Sequence, residues 1–190
     1  MTIGVDGLGL ISYFDETNDD LKVAQCSNTA CTTATITSLD TTTARSGLYT
    51  SVTIGFDGLG LISYYDTNNF DLKVAHCSNT ACTTSTITSL DTTGDVGYHT
   101  SVTIGVDGVG LISYYDLTNT DLKVAHCSNT ACTTSTIISL DTTGNVGSYS
   151  SSVTIGFDGL GLISYYDSTN DALKVAHCSN IFCSPYFRRR

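Results

Sequence analysis

The stretch Thr103–Asp116, TIGVDGVGLISYYD, decides the fold. Together with Val102 it begins V-T-I-G-V, in which Val102, Ile104 and Val106 alternate with small or polar residues as a half-buried strand requires. Asp107-Gly108 comes next, and Asp-Gly between two apolar runs marks a tight hairpin. Leu111 to Asp116 reads as a second strand, rich in aromatic and β-branched side chains. Further out, Leu117-Thr118-Asn119-Thr120 supplies a turn, Leu122–Cys127 (LKVAHC) a third strand and Thr136–Leu140 a fourth. The unit has four antiparallel strands, A to D, and its DTTGNVG segment leads onward.

The same unit recurs on both sides. TIG-x-DG-x-GLISY opens at Thr2, Thr53, Thr103 and Thr154, dividing a single domain, 1–190, into repeats 2–52, 53–102, 103–153 and 154–190. A period of about fifty residues is too long for one hairpin and suits one four-stranded propeller blade. A β-solenoid is the rival, but its parallel coils have no use for an Asp-Gly hairpin. The expected fold is therefore all-β, a β-propeller of four near-identical blades. The last blade is truncated, because Ser184-Pro185-Tyr186-Phe187 and three arginines stand where strand D belongs. At the other end Met1 replaces the valine of later copies, so the chain is expected to begin inside a repeat.

These repeats resemble β-propeller repeat proteins and, more loosely, the tandem repeats of large secreted microbial surface proteins. They carry neither the Trp-Asp pair of WD40 repeats nor the Gly-Gly doublet of kelch repeats. The tryptophan of the sialidase Asp-box is missing as well, since the chain has none. The resemblance implies a fold and transfers no site residues.

The eight cysteines form four C-x4-C pairs at one place in the repeat: Cys26/Cys31, Cys77/Cys82, Cys127/Cys132 and Cys178/Cys183. Strand sequence precedes each pair, so the two sulfurs are expected to meet across a hairpin mouth, where opposed Cα atoms lie ~4.5–5.5 Å apart. Zinc is the alternative. It would need His76, His126 or His177 beside the first cysteine, yet adjacent strand residues point to opposite faces and the first copy has Gln25 there. Disulfides imply an oxidising compartment, hence a secreted or cell-surface protein. No apolar run reaches the ~18 residues needed to insert in a membrane.

The net charge of −10 argues against nucleic acid as a partner and suits a cationic ligand or a metal ion better. Asp6, Asp57, Asp107 and Asp158 sit in the A–B hairpins, where turn geometry accounts for them. The remaining acids gather at the B–C turns and D–A links, making one face acidic. Candidate binding residues on that face are Asp15, Asp66, Asn69, Asp71, Asp116, Asn119, Asp121, Asp167 and Asn170, with Tyr64 and Tyr65 as stacking partners. They could hold a sugar's hydroxyls or calcium, although the spacing of a recognised calcium loop is absent. No cofactor is expected. Lys22, Lys73, Lys123 and Lys174 read as partly exposed partners of the acids in their own turns. The histidines beside the cysteines read as residues that pack at a blade edge or donate to a backbone carbonyl, and His99 as a surface residue of a variable link.

Catalysis calls for different residues in different roles, whereas here each notable residue recurs. The expected function is a non-enzymatic, secreted binding module with repeated equivalent loop sites for glycan or another surface polymer. Self-association is expected; a structural repeat protein that assembles into an extracellular filament or surface layer is the alternative function, and a glycosidase-like enzyme a third.

Overall fold

The computed structural model describes residues 1–41 and 45–184, and these form four antiparallel sheets with no helix among them. The first sheet contains β1 (Thr2–Ile3), β2 (Gly9–Asp15), β3 (Asp20–Cys26) and β4 (Ala34–Asp40). The second contains β5 (Ser46–Ile54), β6 (Gly60–Asp66), β7 (Asp71–Cys77) and β8 (Ser85–Asp91). The third contains β9 (Val96–Ile104), β10 (Gly110–Asp116), β11 (Asp121–Cys127) and β12 (Ser135–Asp141). The fourth has three strands, β13 (Val146–Ile155), β14 (Gly161–Asp167) and β15 (Ala172–His177). Strands neighbour one another in chain order within every sheet, giving a propeller-like array of all-β repeats. Pro185 and the terminal arginines, which replace the expected fourth strand of the last repeat, lie outside the described residues.

Three local details differ from the sequence expectation. The A–B hairpin is longer than two residues: Ile104 pairs with Gly110, and residues 105–109 form the loop. Asp107 Oδ1 accepts from the Val109 N–H, and Gly108 takes φ 84°, a conformation glycine adopts at no steric cost. Strand A also begins earlier than expected. β9 starts at Val96, and a bulge carries its register past the variable Tyr98-His99 pair, which therefore belongs to the sheet and not to a link.

The cysteines are the third. All four expected disulfides are formed, Cys26–Cys31, Cys77–Cys82, Cys127–Cys132 and Cys178–Cys183, with Cα atoms 4.3–4.9 Å apart. The second cysteine of each pair, however, is not the strand residue that a hairpin mouth would require. Cys26, Cys77 and Cys127 pair across the sheet with Ala34, Ser85 and Ser135 instead. Cys31, Cys82, Cys132 and Cys183 lie inside the loop after strand C, at φ 50°, 50°, 52° and 58°. Each bridge therefore staples a loop to the end of strand C. The N–H of each loop cysteine bonds at 3.0 Å to the carbonyl three residues earlier, that of Asn28, Asn79, Asn129 or Asn180. That turn brings the sulfur back to its partner, which is how a five-residue separation closes without a cross-strand position.

Sheets stack face to face because alternate residues of each strand point to opposite neighbours. Ile62, Tyr64 and Ala75 of the second sheet pack on Leu10, Leu21 and Val23 of the first. Its other face, with Leu61, Leu72 and Val74, packs on Ile112, Tyr114 and Ala125 of the third. The third repeats the pattern against Ile163 and Tyr165 of the fourth. Every residue of β6 and β10 is consequently buried. Each leucine or isoleucine so enclosed contributes about 2 kcal/mol. The loop cysteines follow the same order. Cys82, Cys132 and Cys183 are buried in these interfaces, whereas Cys31, on the sheet that no other precedes, is exposed. The far end is open too: β15 alternates half-buried and exposed residues, with Leu173 76% and Val175 59% exposed.

Candidate functional site

Between successive sheets runs a chain of buried polar contacts. Asp40, at the end of β4, accepts hydrogen bonds from Tyr64 (2.8 Å) and Lys73 (2.9 Å) of the second sheet and from Ser46 (2.8 Å). Lys73 also pairs with Asp66 at 3.1 Å. Asp91 repeats this with Tyr114 (2.7 Å) and Lys123 (2.5 Å), and Asp141 with Tyr165 and Lys174. The lysines thus reach across to the preceding sheet as well as to their own turn. This corrects the reading of Lys73 and Lys123 as partly exposed: both are buried. Burial alone would lower the Lys73 pKa, but the carboxylates of Asp40 and Asp66 outweigh it and raise it. Lys22 bonds to Asp15 of its own sheet.

The acid–amide groups of the turns are largely occupied by the fold. Asp66 is fully buried and accepts from Asn69 Nδ2 at 2.9 Å and from the Asn68 N–H at 3.0 Å. Asn18 holds Asp15, Asn119 holds Asp116 and Asn170 holds Asp167 in the same manner. Burial would raise the Asp66 pKa, yet Asn69, Lys73 and the Asn68 N–H together lower it. Its cross-strand partner Asp71 goes the other way, pushed up by burial and by the Asp66 charge, with Ser89 opposing. Asp121 is raised for the same reasons. Asp66 pairs across the strands with Asp71 and accepts from Asn69, so the three residues lie at one turn.

The histidines do not reach backbone carbonyls. His76, His126 and His177 pair through Nε2 with Asp57, Asp107 and Asp158 at 2.7–2.9 Å, and Gln25 donates to Asp6 at 2.9 Å. The hairpin aspartates thus hold the end of strand C in addition to their own turn.

A concave site does exist on the face of the B–C turns and D–A links, and different residues build it. A cavity of about 420 Å³ lies among the inner strands of the second, third and fourth sheets. Its aromatic lining comes from Tyr49, Tyr98, His99, Tyr115 and Tyr149. Asn145, Ser148 and Ser168 add polar groups, and Leu117 closes one side. Tyr49 and His99 occupy the bulges of β5 and β9 at φ 53° and 51°. Left-handed backbone at a non-glycine residue costs on the order of 1 kcal/mol and tends to gather at functional sites. The strain here turns two rings toward each other, with centroids 4.3 Å apart.

Further contacts fix the rings. Tyr65 and Tyr98 lie 4.2 Å apart between centroids, and the Tyr65 hydroxyl donates to Asp95 at 2.6 Å. Tyr115 donates to Asn145 at 3.0 Å, and Ser148 bonds to Ser168. Burial lowers the His99 pKa, favouring a neutral imidazole, and raises those of Tyr98 and Tyr115. His99, expected at the surface of a link, is half-buried and lines this cavity. Tyr64 and Tyr65, the expected stacking partners, are enclosed between sheets. The signal that could have found the cavity is the divergence among copies: LYTSV, YHTSV and YSSSV occupy the same place in successive repeats.

No protein-family profile matches the chain, and no characterised protein matches it in sequence. Solved structures are similar to it only at low identity. A fucose lectin from Kordia zhangzhouensis, in complex with methyl-fucoside, is 12% identical with a TM-score of 0.45, over 73% of this chain and 95% of that one. An endo-arabinase from Bacteroides thetaiotaomicron is 13% identical with a TM-score of 0.46, over 90% of this chain and 73% of that one. An endo-1,4-beta-xylanase from the same organism is 12% identical with a TM-score of 0.44, over 92% and 72%.

Proposed function

We propose that this chain is a secreted, non-enzymatic β-propeller module that binds glycan in the aromatic cavity. The observation that carries the reading is the lining itself: tyrosine rings and the His99 imidazole beside an amide and serine hydroxyls. Aromatic faces pack against the C–H faces of a sugar ring, while Asn145, Ser148 and Ser168 can exchange hydrogen bonds with its hydroxyls. The volume falls in the range of small-molecule sites. The absence of aspartate and glutamate among the lining residues supports binding over hydrolysis, because glycosidases ordinarily set two carboxyl groups across the bond they cut. The four disulfides support an extracellular setting.

This proposal replaces repeated sites at the B–C turns with one site per chain. A glycan array followed by calorimetric titration tests it. Saturation at one ligand per chain is expected, and Tyr149→Ala, at a ring 70% exposed, should weaken binding about ten-fold without altering the fold. Binding near one ligand per repeat would return the site to the turns, and a chain that takes up no glycan in a broad screen would end the reading.

A further inference from the structure

Each internal sheet interface is keyed by the same side chains. A Cβ placed at Gly60 would lie 2.7 Å from Leu10, one at Gly110 2.7 Å from Leu61, and one at Gly161 2.7 Å from Leu111. The A–B loops mesh likewise: Val5 reaches Gly58, Phe56 reaches Gly108 and Val106 reaches Gly159, at 2.9–3.2 Å from a Cβ placed there. Every sheet therefore shows knobs to the next and holes to the one before.

At the two ends these keys are unmatched. On the fourth sheet the knobs Phe157, Leu162, Leu173 and Val175 are exposed, Phe157 completely. On the first sheet nothing lies within 4 Å of a Cβ placed at Gly7, and one at Gly9 meets only Cys26 of its own sheet. Ile11 and Tyr13 are half-buried there, whereas their counterparts Ile62 and Tyr64 are fully enclosed. Two surfaces of one molecule are thus complementary to each other and to nothing else described in it. An apolar face of this kind is uncommon on a monomer.

We infer that the outer face of the fourth sheet docks on the outer face of the first sheet of a second copy of this chain, by the contacts used three times inside it. Leu162 seats on Gly9, Phe157 on Gly7, and Leu173 and Val175 cover Ile11 and Tyr13. The interface is heterologous, so it propagates head to tail unless the rotation closes a ring. One internal contact is not reproduced by the described residues. Among the described residues the fourth sheet has no counterpart of Asp40 to offer Lys22, which bonds to Asp15.

Sedimentation velocity on the intact chain and two face variants tests this. Val175→Glu spoils the knob face and Ile11→Glu the hole face, each at a position not enclosed in the free chain. The wild type should associate progressively with concentration, and each variant alone should sediment as a monomer. An equimolar mixture of the two should give dimers that grow no further, since one good face of each kind remains. Circular dichroism and thermal melts check that both variants fold, and Val175→Leu serves as a fold-preserving control that keeps association. A wild type that stays monomeric overturns the inference, as does a mixture without dimers or a variant that still associates alone.

Discussion

Asp91 shows how much of the fold rests on single buried charges. It is 4% exposed and accepts from Tyr114 and Lys123 across a sheet interface. Asp91→Ala leaves the Tyr114 hydroxyl unpaired and strips Lys123 of its nearer carboxylate. Breaking a buried pair from one side costs about 3 kcal/mol, which a urea titration should resolve as a lower midpoint at unchanged slope. The two turn aspartates predict opposite pH behaviour. Asp66 is held below its ordinary value, so its contribution is fully present above the unfolded value near 3.8 and is lost as pH falls through the lower folded one. Asp71 is held above 3.8, so its ionisation opposes folding above the raised folded value and has no effect below the unfolded one. Asp71→Asn should therefore stabilise the protein at pH 7, and the gain should vanish below about pH 4 in melts taken across pH.

At the scale of the element, the disulfide and the glycine beside it form one device. Cys127 Sγ would lie 2.9 Å from a Cβ at Gly110, and Leu61 of the preceding sheet approaches the same point. The bridge thus sets where strand C ends and also forms the floor of an interface. Gly110→Ala should destabilise by about 1–3 kcal/mol through overpacking, measured by denaturant titration. Replacing Cys127 and Cys132 together by serine should cost about 2 kcal/mol from loop closure, with a further loss from the vacated packing. The hairpin aspartates are a second such device, since His126 joins Asp107 to the end of strand C and couples two turns of one sheet.

Across the whole molecule, protection should follow stacking. β6, β7, β10 and β11 lie between two neighbours, while β15 has one face open. Native-state hydrogen exchange should find the slowest amides in the second and third sheets and the fastest strand amides in β15. Association through the open faces should slow exchange in β15 as protein concentration rises.

The strands apart from the early start of strand A, the sheet count and the four disulfide pairings were legible in the chain itself, because each depends on neighbours within one repeat. Alternation sets the face of a strand, Asp-Gly sets a turn, and C-x4-C brings two sulfurs within reach. The loop position of Cys31, Cys82, Cys132 and Cys183 was not, because it turns on a left-handed backbone step that the spacing alone does not reveal. What lay beyond local pattern was decided by stacking. Lys73 finds Asp40 thirty-three residues earlier, and Tyr65 finds Asp95 thirty residues later, because one sheet is laid on the next. The cavity has the same origin: Tyr49, Tyr98 and Tyr149 belong to three sheets, and only the convergence of inner strands puts them around one space. Sequence periodicity specifies each unit and its two faces. The distances between units, and hence the buried ion pairs and the candidate site, follow from how those faces pack.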